Sequence, residues 1–415
     1  MTRNLPLDTR IPQQPVRIGS PTSLLAVIPG LLGFAPGHSV VVIGTEPPRA
    51  QVRVTLRYDL PDPGRPRVAD ALARHAVSVL AGQGVTTVVA VGYGTDSEVS
   101  PVAAALRDRG AEAGITTTEL LRVESGRYWS YVCADPACCP PEGTPFDVTG
   151  HPAARALAAA GGRVLAGRGD LAATVAPARG RLGAAARRAT AEARAQITRC
   201  AAGLDNAGGL DSAGGPDSAG KSSSAPRITA ALGLVMVGEA VRRYRADESV
   251  GTEYAAWLTV ALREVRVRDD AWARMDPAHR GAHLRLWTDL TRLARPGYVA
   301  APAALLAFVA WQSGDGALAN VTLDRALADS PRYSMALLLR DALDSGAPPS
   351  MARLPMTPEE VAAAYDAAET ADSSPAADLP YPPPPAVAPE PPAGTAPPLA
   401  AGAAGGGSAQ TRYTA

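Results

Sequence analysis

The sequence predicts an α/β fold with its two kinds of structure segregated, α+β in that sense. An N-terminal mixed-sheet α/β sandwich comes first, then an all-helical domain, then a disordered tail. Three observations carry this. Continuous apolar runs bounded by glycine, such as Ser39 to Gly44 and Val85 to Val91, have the composition of strands buried on both faces. Segments of helical spacing separate them, in the order strand, strand, helix, strand, helix, strand, strand. From His151 onward the pattern is helical throughout, until a Pro- and Ala-rich stretch begins at Ala347.

In chain order, residues 16–18 read as a short opening strand. Ser20-Pro21 reads as N-cap and first helical residue, with Leu24, Leu25, Val27 and Ile28 following and Gly30 and Gly33 ending the helix. After the buried run 39–44, Val52, Val54, Leu56 and Tyr58 alternate with Arg53, Thr55 and Arg57. That is a strand with one wet face, hairpinned to its predecessor. Val68, Leu72, Ala76 and Val79 have helical spacing, and Gly82 and Gly84 stop them before the run 85–91. Ser100-Pro101 reads as the cap of a helix containing Val102 and Leu106. Ile115 to Val123 alternates as a strand, Ser125-Gly126 turns the chain, and Arg127 to Val132 returns as its partner and the sheet's last strand. These elements form an α/β domain over 16–150.

The helical domain spans 151–346. Ala-rich segments cover 152–160 and about 181–201. A tandem six-residue repeat of the Asp-Ser-Ala-Gly type makes 203–226 a flexible insert, because it has no apolar periodicity. Helices resume at Ile228. Thr252 reads as the cap of a helix in which Tyr254, Trp257, Leu258, Ala261, Leu262 and Val265 share one face; Leu286, Leu290 and Leu293 mark another. Over 300–333, Leu306, Ala307, Trp311, Gly314, Asp315, Ala319, Leu323, Ala326, Leu327 and Pro331 resemble one tetratricopeptide repeat, with Tyr333 to Leu343 as the next helix. Residues 347–415 read as tail, apart from a short helical stretch at 358–369.

Composition excludes several classes of function. Forty basic residues balance forty acidic ones, which gives no global attraction to nucleic acid or an anionic membrane. The one lysine, Lys221, lies in the flexible insert; Gly215 to Ser222 spell G-x-x-x-x-G-K-S there, but within the repeat and without the apolar strand that must precede a phosphate-binding loop, so none is expected. The N-terminus has no apolar signal-peptide core, and the longest apolar run, Ala300 to Trp311, is short of the roughly 20 residues that span a bilayer. A cytoplasmic protein is expected, with its four cysteines as thiols or metal ligands.

Chemically, the densest stretch is Arg127 to Gly143. It holds Tyr128, Trp129, Tyr131, Cys133, Cys138 and Cys139. Three thiols in a proline-stiffened loop suggest a structural zinc knuckle, for which His151, Asp135 or Cys200 would have to supply a fourth ligand. The alternative is a packed loop without metal. Tyr128 and Trp129 are candidates for the floor of a small-molecule pocket, or else ordinary strand residues that pack on helices. Gly44, Gly92 and Gly94 follow buried strands and are candidate ligand-binding positions, since open α/β sheets bind ligands beyond the carboxyl ends of their strands; turn glycines are the plainer explanation. His279 and His283 lie four apart without the Glu of a metalloprotease helix, and no nucleophile–base pair is evident.

The stretches SPTSLLAVIPGLLGFAPGHSVVVIG (20–44), RYWSYVCADPACCPPEGTPFD (127–147), AWARMDPAH (271–279), AHLRLWTDL (282–290) and AALLAFVAWQSGDGALANVTLDRALADSPRYSMALLLRDAL (303–343) resemble the bacterial family known as domain of unknown function 4192. The resemblance covers nearly all of 16–346 outside the insert and implies no catalytic residues. Two readings of function follow. The first is a non-enzymatic cytoplasmic scaffold that binds a protein partner on its helical-repeat surface. The second is a small-molecule or nucleotide enzyme, with its site at the carboxyl ends of the sheet strands.

Overall fold

The computed structural model describes residues 19–46, 51–159, 164–207, 225–351 and 356–372. The strand expected at 16–18 lies outside them. Helix α1 (Pro21–Leu32) starts where the Ser20 side chain accepts the Ser23 amide at 3.1 Å and ends at Gly33, whose φ of 74° is left-handed. Strands β1 (Ser39–Glu46) and β2 (Gln51–Asp59) form an antiparallel hairpin. Helix α2 (Pro66–Gly82), strand β3 (Thr87–Tyr93), helix α3 (Asp96–Glu112) and strand β4 (Thr116–Glu124) follow, then β5 (Arg127–Ser130) and the two-residue β6 (Thr144–Pro145).

The described strands form one mixed sheet in the order β2-β1-β3-β4-β5-β6. Its single parallel pair is β3 with β4, joined by the α3 crossover; β1 runs antiparallel to both neighbours. Because strand side chains alternate, β1 feeds two cores. Val40 and Val42 join Val88, Ala90 and Leu120 beneath α2 and α3. Val41 and Ile43 join Val91, Leu121 and α1 on the other face. An apolar void of about 10 Å³, the size of one water, lies among Val42, Leu80, Val88 and Leu106 under α2 and α3.

Three N-terminal expectations change. On α2 the buried residues are Ala69, Ala73, Ala76, Val77, Val79 and Leu80; Ala76 and Val79 face inward as expected, while Val68 is 45 % exposed. The small alanines seat the helix closely on the sheet and turn Val68 outward. Helix α3 begins at Asp96, with Ser100-Pro101 inside it, because the Glu98 carboxylate turns back to accept the Thr95 amide and hydroxyl, each at 2.8 Å. Finally, β5 ends at Ser130 and β6 is the last strand. The cysteine segment therefore returns to the sheet edge, and Arg127 pairs with Pro145.

The helical region comprises α4 (Pro152–Ala159), α5 (Arg168–Thr174), α6 (Gly180–Ala207), α7 (Ala225–Arg245), α8 (Thr252–Ala261), α9 (Val265–Ala273), α10 (Arg280–Leu293), α11 (Ala300–Gln312), α12 (Gly316–Asp329), α13 (Ser334–Asp344) and α14 (Pro358–Asp372). Residues 203–207 and 225–226, read as insert, complete α6 and open α7; 208–224 lie outside the described residues. Thr252 is the first residue of α8 after the N-cap Gly251, and the stripe expected to reach Val265 breaks. The amides of Arg263 and Glu264 turn back onto Val260 and Ala261, so Val265 opens α9. Part of the expected tail is ordered. Helix α14 buries Val361 and packs on α9, where Tyr365 donates to Asp269 at 2.7 Å and Arg266 pairs with Asp366. Residues 352–355 and 373–415 lie outside the described residues.

Helix α11 is the axis of this region. Every residue from Ala300 to Trp311 is buried, as a helix surrounded by neighbours requires. Gly314, at φ 78°, turns the chain into α12, where the Asp315 side chain caps the Leu318 amide at 2.8 Å. Ala307, Ala319 and Ala326, each at most 1 % exposed, let α11 and α12 lie close. The hairpin is embedded among α9, α10 and α13 rather than open on one side. The apolar cluster holding Leu305 and Trp287 also holds Leu24, Ile28, Val41 and Leu121, so one core runs from sheet to helices. A second tie joins the C-terminal end of α2 to residue 346, where the Gln83 side chain donates to the Gly346 carbonyl at 2.9 Å.

Candidate functional site

The Arg127 to Gly143 stretch is a loop held against the sheet edge by its own strand. Ser125 and Gly126, at φ 50° and 75°, make the tight turn that sets β5 beside β4. That register places Trp129 opposite Arg122, whose guanidinium lies 3.6 Å from the indole centroid. The other edge of the indole holds the loop, since Trp129 Nε1 donates to the Pro141 carbonyl at 3.0 Å. Gly143 lies against the ring at φ 80°, and a Cβ there would come within 2.4 Å of it. Arg127 donates to the Gly143 carbonyl at 2.7 Å.

At the other end of the loop, Ser130 Oγ donates to Glu119 at 3.0 Å and accepts the Cys133 amide at 3.2 Å. The Asp135 carboxylate accepts the Ala137 amide at 2.9 Å, and its carbonyl accepts the amides of Cys138 and Cys139 at 3.1 and 2.7 Å. This turn brings the sulfurs of Cys133, Cys138 and Cys139 within 4.8 Å of one another. All three are free thiols; Cys133 and Cys139 are half-buried and Cys138 is exposed. A backbone hydrogen bond at Asp135, reinforced by the Cys139 thiol, holds the Cys133 thiol below the usual cysteine range. The same contact with Cys133, followed by burial, pushes Cys139 up to about 12. The two shifts are opposite in sign because the thiols share a hydrogen bond, and a thiolate at one position disfavours a second beside it.

The proposed fourth ligands are elsewhere. His151 Nδ1 accepts the Ala153 amide at 3.2 Å at the start of α4, and His151 is not in the thiol group. The Asp135 carboxylate is occupied by its turn, and Cys200 is on α6. Tyr128 points to the opposite face of β5 and packs on Phe146, with centroids 6.2 Å apart, at the edge of the large core. It shares no pocket floor with Trp129, because adjacent strand residues face opposite ways.

The glycines do not share a crevice. Since β1 and β3 are antiparallel, Gly44 pairs with Val88 and Gly92 with Val40. The two glycines are thus about 13 Å apart, at opposite ends of this interior strand pair. Each is a packing position. A Cβ on Gly44 would meet Leu80 at 2.7 Å, one on Gly92 would meet Val99 at 2.3 Å, and one on Gly94 would meet Glu98 and Leu60 at 2.8 Å. The expectation of a single ligand crevice built on all three is corrected by this register. Reading by residue type passed over Arg122, Ser130 and Glu119. Only Glu119 carried a signal, as a charge in the same register as Ile115, Leu121 and Val123 of an alternating strand.

A family model described as a domain of unknown function (DUF4192) matches residues 21–350. The chain belongs to that family. Its DUF4192 region includes the whole sheet, the thiol loop and helices α1 to α13. No curated protein and no solved structure matches the chain. Among the described residues, no helix is long and apolar enough to cross a membrane.

Proposed function

We propose that this DUF4192 protein is a non-enzymatic cytoplasmic scaffold that binds another protein through the outer face of α13. The observation that carries the reading is the two-sided character of that helix. Met335, Ala336 and Leu339 face α11 and α12, whereas Leu337 and Leu338 are 40 % and 68 % exposed. The two side chains are adjacent on an outer helix face, and covering the part of each that is still in water is favourable by about 0.5–2 kcal/mol per side chain. The resemblance of α11 and α12 to a tetratricopeptide hairpin supports the same use, since that motif ordinarily presents helices to protein ligands. The balanced charge favours a protein over nucleic acid as the partner. A cluster of three unpaired thiols suits a reducing compartment.

A photo-crosslinking residue at position 338, in the native host, tests this. A discrete crosslinked protein is expected from position 338 and not from a control position such as Arg107 on α3. The Leu337→Glu/Leu338→Glu double variant should keep its melting temperature within a few degrees and compete poorly for that partner. If position 338 yields no more than the control, the reading is wrong.

A further inference from the structure

We propose that Cys133, Cys138 and Cys139 form a three-thiolate zinc site whose fourth coordination position is open to an external ligand. The site is independent of the α13 surface.

Three features of the loop carry this. The first is convergence. A tetrahedral zinc with Zn–S near 2.3 Å needs sulfurs about 3.8 Å apart. The three Sγ atoms already lie within 4.8 Å of one another, so closing on an ion takes shifts of about 1 Å, within reach of side-chain rotation. The second is construction. The loop is fixed to the sheet from both ends, by Ser130 on the Cys133 amide and by Trp129 and Arg127 on the Pro141 and Gly143 carbonyls. Between these anchors, one carbonyl, that of Asp135, holds the amides of Cys138 and Cys139 and aims their side chains from a single turn. The thiols thus converge on a stiff frame, as the supporting shell of a metal site does. The third is ligand type. Three soft sulfurs with no carboxylate or imidazole in the group select zinc over magnesium or calcium.

The open position follows from the same geometry. His151 and Asp135 are engaged elsewhere, and Cys138 lies on the solvent side. Three protein ligands and a vacant fourth position are the arrangement in which zinc exchanges water for another donor. Binding releases the thiol protons, and no electrons move.

The full chain, purified without a histidine tag and reduced under anaerobic conditions, is titrated with zinc and, separately, with cobalt(II). About one equivalent of either metal should bind. The cobalt form should show the intense visible bands of a tetrahedral thiolate site. Alkylation mapped by mass spectrometry should find Cys133, Cys138 and Cys139 protected by zinc and Cys200 modified at its metal-free rate. The Cys133→Ser/Cys139→Ser variant should lose binding, and Cys200→Ser should keep it. Imidazole should shift the cobalt spectrum of both the wild type and His151→Ala. Equal alkylation of all four cysteines with and without zinc would overturn the proposal, as would a disulfide within the cluster under reducing conditions. Loss of the site in His151→Ala, or a cobalt spectrum unmoved by imidazole, would overturn the open position.

Discussion

His283 shows how a polar side chain can sit inside the helical core. It is 1 % exposed on α10, and its Nε2 accepts the Asp276 amide at 3.3 Å, which places the ring proton on Nδ1 in the neutral form. Desolvation, with a smaller repulsion from Arg245, lowers its pKa to about 4. The unfolded chain restores a value near 6.5. Between those two values the unfolded state takes up a proton that the folded state refuses. Stability is therefore full above pH 6.5 and declines toward pH 4, by up to about 1.4 kcal/mol per pH unit. Urea unfolding of the wild type and His283→Asn from pH 7 to 4 should show curves that converge as the pH falls; parallel curves would refute this role. The sequence marked His283 only as half of an i, i+4 pair with His279, and that spacing says nothing of burial. Trp129 was visible as part of an unusual stretch. Its role as the clamp on Gly143 was not, because that contact joins residues 14 apart across a loop with no periodic pattern.

Among the elements, α11 depends on a cap that is remote in sequence. Asp329, at the end of α12, accepts the amides of Gly297, Val299 and Ala300 at 2.7, 2.9 and 3.3 Å. It thereby satisfies donors that the first turn of the buried helix cannot pair internally. Asp329→Ala should cost about 2 kcal/mol or more by denaturant unfolding, and Asp329→Asn, which keeps an acceptor, distinctly less. Equal losses would mean that charge alone, and not capping, is what the residue supplies. The elements legible in the sequence were those with dense local signals. The glycine-bounded run 39–44, the Ser20-Pro21 start of α1 and the Gly314-Asp315 turn of α11 and α12 all stand where the pattern placed them. The start of α3 was misplaced because Ser100-Pro101 and the Thr95-x-x-Glu98 signature compete, and the carboxylate contact wins. Strand β6 has two residues and exists only through its pairing with Arg127 and Tyr128, so no local pattern could announce it.

At the scale of the molecule, the change of pattern near His151 marks a change of secondary structure, yet the packing crosses it. The sheet face of Val41, Ile43 and Leu121, the buried side of α1, and the helices around α11 belong to one apolar cluster. Gly346, beyond α13, sits so close to α2 that a Cβ would meet Val79 at 2.2 Å. Urea unfolding followed by far-ultraviolet dichroism and by tryptophan fluorescence should therefore give one coincident transition. Two separated transitions would show that the halves fold independently. The sheet's two borders have a further consequence. On one side β6 is two residues long and places Pro145, which has no amide hydrogen, opposite Arg127. On the other, β2 carries Arg53 and Arg57, paired with Glu46 and Asp59. A foreign strand approaching either border meets a missing donor or a row of charge. In a chain whose strands β1 and β3 are rich in valine, such borders oppose the zipping of one copy onto the next while the helices after residue 151, which complete the cover of one sheet face, are still to be made.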